Sequence, residues 1–240
     1  MPSPGELQKK VAATLGVDDT EAATTWRVLR EAGLVTKGGR GLSAAQVTHR
    51  DAAILIYAIC GSTTIKDAPA FIARAETSRG KAHELANWAP VGEGKIGSGK
   101  NPLSPAWELD GLHVNSVTGL PTAHSALDVL EGFLIWTGEE HETPKKALKV
   151  LSISVTFEIP NELTTFKVGC VDADSNEYYE GQFYAPSKNY HIDGRNLTDD
   201  TIARLEADGQ PVRRGDMETV RSFSLQTLLE VGRFVAGGGV

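Results

Sequence analysis

From Leu151 to Ile159 apolar and polar side chains alternate without a break. Leu151, Ile153, Val155, Phe157 and Ile159 form one set, and Ser152, Ser154, Thr156 and Glu158 the other. A period of two puts each set on its own face of a pleated chain, so the segment predicts a half-buried antiparallel strand. Pro160-Asn161-Glu162 predicts a turn. Phe166, Val168 and Cys170 alternate in a second strand, and Asp172 to Asn176 turns into a third around Tyr178 to Tyr184. Short further strands are predicted at His113 to Thr118 and, as a sheet edge, at Met217 to Ser222.

Elsewhere the pattern has the period of a helix. Leu7, Val11, Ala12 and Leu15 fall on one side of a first helix, which Gly16 stops by entering the left-handed region at little cost. Asp18, Asp19 and Thr20 are candidate N-caps for a second helix from Thr20 to Ala32, and acids suit its positive end. Ala22, Ala23, Trp26, Leu29 and Arg30 share its packing side, with Arg30 at the border; Thr24, Arg27, Val28 and Glu31 face away. Gly33 closes this helix, Leu34 and Val35 return to the core, and Lys37-Gly-Gly-Arg40-Gly41 makes a basic loop. Thr48 to Asp51 reads as a capping box opening Asp51 to Cys60, which is apolar on nearly every side and therefore belongs in a core or a subunit interface. Further helices are predicted at Lys66 to Thr77, Ala123 to Trp136, Thr198 to Asp208 and Ser224 to Val235. The fold class expected is α+β: helices first, then an antiparallel β-meander with flanking helices. The glycine- and proline-rich stretch 88–111 divides a helical module, 1–87, from an α+β domain, 112–240.

Charge sharpens that division. The net charge is -7; residues 1–100 hold 13 basic against 10 acidic side chains, and residues 101–240 hold 11 against 21. A chain this acidic does not coat nucleic acid with its whole surface. Between Thr24 and Arg50, however, Arg27, Arg30, Lys37, Arg40 and Arg50 face a single acid, Glu31, and phosphate contacts would be made there. No apolar run is long enough to cross a bilayer, and the first residues lack the apolar core of a secretory signal. A cytoplasmic protein is expected, with no membrane partner and with Cys60 and Cys170 as buried reduced thiols.

Candidate catalytic and cofactor motifs fail on mechanism. Gly94 to Lys100 approaches a phosphate-binding loop, but Asn101 replaces the magnesium-holding hydroxyl and Pro102 obstructs the helix that should follow. Asp172 and Asp174 begin like a calcium loop that then lacks its glycine and its final glutamate. Glu139 to Glu142 lacks the paired histidines of a zinc protease. The aromatics Tyr178, Tyr179, Phe183, Tyr184 and Tyr190 could stack on a ligand, though packing is the commoner use of aromatics in strands. Neither a metal, nor a cofactor, nor an enzymatic activity is expected.

The run A-x-x-L-G-V at Ala12 to Val17, L-x-x-x-G-L-V at Leu29 to Val35, and Gly39-Arg40-Gly41 resembles the helix-turn-helix of bacterial transcriptional regulators, especially its winged-helix variety. The resemblance covers only this N-terminal segment. It implies a sequence-specific DNA-binding regulator, bacterial or phage-encoded and dimeric, with double-stranded DNA as partner. Thr20, Thr24, Arg27 and Arg30 would lie on the reading helix, with Lys37 and Arg40 gripping phosphates from the loop. The helices Asp51 to Cys60 and Ser224 to Val235 are the expected contact between copies, and the acidic C-terminal part is expected to dimerise, sense a ligand or bind a protein. Two alternatives remain: a DNA-binding component of a phage or plasmid machine (packaging or replication initiation), and an oligomeric interaction protein without nucleic acid.

Overall fold

The protein is described by a computed structural model that places residues 2–37, 46–77, 81–83, 125–138, 148–159, 163–172, 178–185, 192–193, 212–213 and 219–237. The elements are α1 (Pro4–Leu15), α2 (Asp19–Glu31), α3 (His49–Gly61), a 3-10 turn (Ile65–Asp67), α4 (Ala68–Thr77), β1 (Lys81–His83), α5 (Ala126–Gly138), β2 (Leu148–Ile159), β3 (Leu163–Asp172), β4 (Tyr178–Ala185), β5 (Ile192–Asp193), β6 (Val212–Arg213), β7 (Thr219–Ser224) and α6 (Leu225–Val235). The class is α+β, with the helices leading.

Five strands form one antiparallel sheet in the order β1-β4-β3-β2-β7, and β5 pairs with β6 in parallel. The alternation along β2 is translated directly. Ile153, Val155, Phe157 and Ile159 are buried, while Ser152 is exposed and Ser154, Thr156 and Glu158 are half-buried. Register carries this face across the sheet, since Val155 lies opposite Phe166 and Phe223, and Ile153 opposite Val168. A shift between Val150 and Ser152 marks a bulge near the start of β2. The edge strand expected at Met217 to Ser222 runs from Thr219 to Ser224, and β1 is an edge that no sequence pattern announced.

α3 lies at the centre, against α1, α2, α4, α5, α6 and the strands β2 and β7. Every residue from Asp51 to Gly61 is buried, which is why the segment is apolar all round. Tyr57 stacks on Phe71 with ring centroids 5.2 Å apart, meets Phe157 edge-on at 5.0 Å, and shares a 2.6 Å hydrogen bond between its hydroxyl and that of Thr164 on β3. Gly61 is where a side chain has no room: a Cβ there would stand 2.5 Å from the Phe71 ring and 2.9 Å from Phe157.

α6 returns the chain's end to its beginning. Leu228, Val231 and Val235 enter the same core as Leu7, Val11 and Ala12 of α1. Lys10 forms a 2.8 Å ion pair with Glu230, which also accepts a hydrogen bond from the Thr14 hydroxyl. The Thr137 hydroxyl of α5 donates to the Leu228 carbonyl at 2.8 Å, where Gly138 and Gly232 let the two backbones approach. The expected boundary at 88–111 lies outside the described residues, as do the segments His113 to Thr118 and Thr198 to Asp208. The described helices on either side of that boundary share one hydrophobic core.

Candidate nucleic-acid interface

α1 begins with a capping box. The Ser3 hydroxyl accepts from the Glu6 backbone N–H, and the Glu6 carboxylate accepts from Ser3 N–H at 2.8 Å, with Pro4 at the first helical position. Leu7, Val11 and Ala12 are buried as their spacing predicts, and Leu15 is partly buried. Gly16 turns the chain at φ 70°, where a side chain would be strained. Asp18 then caps α2, accepting from Thr20 N–H at 2.7 Å; the Thr20 side-chain bond first, and this backbone bond second, hold its carboxyl below the usual range.

α2 presses Ala22, Thr25, Trp26 and Leu29 into the core against α1, α3 and α4. One expectation is corrected here. Ala23, read as part of the packing side, is exposed, and Thr25 takes that place because it lies on the arc between Ala22 and Leu29. Four of the residues singled out by sequence lie off this core side, Arg30 at its border and the others opposite it. Thr20, Arg27 and Arg30 are exposed and Thr24 is half-buried. Thr20, Thr24, Arg27 and Glu31 follow one another at helical steps of four, three and four, so they line a single solvent-facing stripe. Lys37 is exposed as well, whereas Arg40 falls outside the described residues.

Charge is unevenly spread along this surface. Asp18 and Asp19 are exposed at the start of α2, while Arg27 and Arg30 stand in its second half with Glu31 after them. Among the described residues Arg27, Arg30 and Lys37 enter no ion pair. Arg50 does not belong with them. Its guanidinium lies 3.1 Å from Glu76, 3.0 Å from Asp128 and 3.3 Å from Glu131, knitting α3 to α4 and α5. Burial alone would depress its pKa, but the Glu76 hydrogen bond and the charges of Glu131 and Asp128 outweigh that and raise it. The expected basic surface therefore loses one of its five cations to an internal network.

The sequence pattern around Asp51 implies a capping acid and nothing more. The structure gives it a second role: besides Thr48, it binds the N–H and hydroxyl of Thr36, both at 2.7 Å. Nothing local in the sequence announces that contact, because it joins two segments across 15 positions. The dimer contact expected of α3 is also corrected, since a helix buried on all sides by its own chain has no face left for a second copy. α6 likewise turns Leu228, Val231 and Val235 inward. No group of metal-ligating side chains occurs among the described residues, and none of the described helices is long and apolar enough to cross a membrane. The acidic run Glu139 to Glu142, the phosphate-loop-like stretch Gly94 to Lys100 and the turn 173–177 lie outside the described residues. No family model, curated protein or solved structure matches the chain.

Proposed function

We propose that the chain is a sequence-specific DNA-binding regulator in which α1, the Gly16 turn and α2 act as a helix-turn-helix of winged-helix type. The observation that carries the reading is the two-sided character of α2. One side is fixed into the core by Trp26 and Leu29, the other presents Thr20, Thr24 and Arg27 to solvent, and Arg30 is exposed at the border, with both guanidiniums unengaged among the described residues. A rigid helix with hydroxyls and guanidiniums along its outer side suits entry into a major groove, where arginine pairs with guanine and threonine meets a base edge or the thymine methyl. Lys37 adds a phosphate contact just beyond the helix. Dimerisation, which twofold operators ask for, would then use surfaces other than α3.

The test is retention of mixed genomic fragments by the intact protein across a salt series, followed by sequencing. Enriched fragments should share one motif. Arg27→Ala should relax that motif at a single position at a cost of about 1–3 kcal/mol, while Lys37→Ala should weaken all sequences alike and reduce the salt slope by about one. Retention that is unaffected by Arg27→Ala would remove α2 as the reading helix.

Asp18 and Asp19, exposed at the end of α2 that would enter the groove first, favour a second reading. There the same face binds a protein rather than DNA, because carboxylates at that end repel phosphates. Absence of any retention at low salt, in a protein that remains folded, selects it.

A further inference from the structure

Asp51 is 3% exposed, and among the described residues no cation pairs with it. Four donors from two places in the chain hold its charge instead. Thr48 N–H and hydroxyl approach Oδ2 at 2.9 and 3.0 Å, Thr36 N–H approaches Oδ1 at 2.7 Å, and the Thr36 hydroxyl approaches Oδ2 at 2.7 Å. The Thr48 pair is the reciprocal half of an ordinary N-terminal cap, since Asp51 N–H donates back to the Thr48 hydroxyl. The two Thr36 bonds are not needed for that cap, and they are the shorter pair. They fasten the chain at the place where it leaves the core after α2: Leu34 is partly buried, Val35 is buried, and Lys37 is the first exposed side chain past the anchor.

We propose that Asp51 is the positioning residue of the nucleic-acid interface, clamping Thr36 so that Lys37 keeps a fixed place relative to Arg27 and Arg30. The inference rests on the DNA-binding reading. Its physical basis is pre-organisation: a cation on an anchored backbone contacts a phosphate without first losing the freedom of a loose segment. A buried carboxylate suits this role because its hydrogen bonds are strong and its desolvation goes uncompensated if either threonine departs. Both ends of the segment between Thr36 and Thr48 thus depend on one side chain.

The experiment measures binding of the full-length protein to a short random-sequence duplex by fluorescence anisotropy over a salt series, using Thr36→Val, Asp51→Asn, Lys37→Ala and the double variant Thr36→Val plus Lys37→Ala. Thr36→Val deletes one hydroxyl and leaves the Thr48 cap intact, so it reports on positioning even where Asp51→Asn fails to fold. Lys37→Ala is expected to weaken binding up to about eightfold at 0.1 M salt, the worth of one released counterion, and to flatten the salt slope by about one. Thr36→Val should reproduce much of that flattening and add nothing in the Lys37→Ala background, a pattern that general loss of stability does not produce. If Lys37→Ala flattens the slope while Thr36→Val leaves it unchanged, the positioning role is overturned and the DNA-binding reading stands. If the wild-type protein does not bind the duplex, both fall together; if it binds and Lys37→Ala has no effect, Lys37 makes no phosphate contact and the positioning role alone is overturned.

Discussion

At the scale of the residue, the core holds polar groups whose worth can be measured singly. Tyr57 and Thr164 satisfy each other in a site closed to water. Removing one partner strands the other, so Tyr57→Phe should lower unfolding free energy by about 1–2 kcal/mol in urea titration, and Tyr57→Phe combined with Thr164→Val should recover part of the loss. Cys60 is the opposite case, a thiol with no chemistry assigned to it. Burial, partly countered by the charge of Arg221, pushes its pKa up to about 12. At neutral pH it is a thiol and not a thiolate, and alkylation mapped at Cys60 should therefore stay near zero in the native protein and become complete only in denaturant. Rapid native labelling would mean that the α3 end opens readily. The expectation of a buried reduced thiol holds for Cys60, which is free and buried; the Cys170 side chain is outside the described set.

At the scale of the element, the legible features were those with a local cause. The β2 alternation, the Thr48 to Asp51 capping box and the glycine stops at Gly16 and Gly33 were all read correctly, since each depends on neighbours within a turn or a pleat. Two further local caps of the same kind are written in the sequence. Ser3 with Glu6 and Pro4 opens α1, and Ser125 with Asp128 opens α5, where Ser125 N–H donates to Asp128 at 2.9 Å and Asp128 N–H to the Ser125 hydroxyl at 3.1 Å. Arg50 shows the converse. As one cation in a basic stretch it looked available, whereas the carboxylates that claim it come from α4 and α5.

That network makes a pH prediction. Asp128 is pushed up by burial and, more strongly, down by the Ser125 hydrogen bonds and by Arg50, so its folded pKa lies below its unfolded one. Its contribution to stability is present above the ordinary carboxylate range, near pH 4, and is lost as pH falls through the folded value. Arg50→Ala should cost about 1 kcal/mol at pH 7, where Glu76, Asp128 and Glu131 are left facing one another in a half-exposed site, and less at pH 3. Thermal melts at the two pH values check this; an equal cost at both would mean that Arg50 acts through packing.

At the scale of the whole molecule, α6 closes the chain onto α1 and draws residues from Leu7 to Val235 into one core. Far-UV circular dichroism and tryptophan fluorescence should therefore report coincident unfolding transitions in urea, because Trp26 near one end of the chain and Trp136 beyond 88–111 touch that core together. A separate early transition would instead support two independently folding parts, as the glycine- and proline-rich stretch suggests. The same closure bears on the proposed interface. α2 has the core packed behind it on three helices, which gives a reading helix a rigid back and leaves its outer stripe as the variable part.

Period, caps and glycine stops are short-range: they need only a few residues of sequence, and they were enough for the leading helices, the strands β2, β3, β4 and β7, the buried face of β2 and the outer stripe of α2, though not for β1, β5 or β6. Which charges remain available and which apolar helix is interior could not be read that way. Arg50 and Arg27 are the same residue type in the same basic stretch, and only the arrival of Glu76, Asp128 and Glu131 from distant positions distinguishes them. Asp51 could be identified as a cap from its neighbours, but Thr36 reaches it only after α2 and α3 have packed. Long-range neutralisation and burial depend on which elements meet, and that is decided when the core closes.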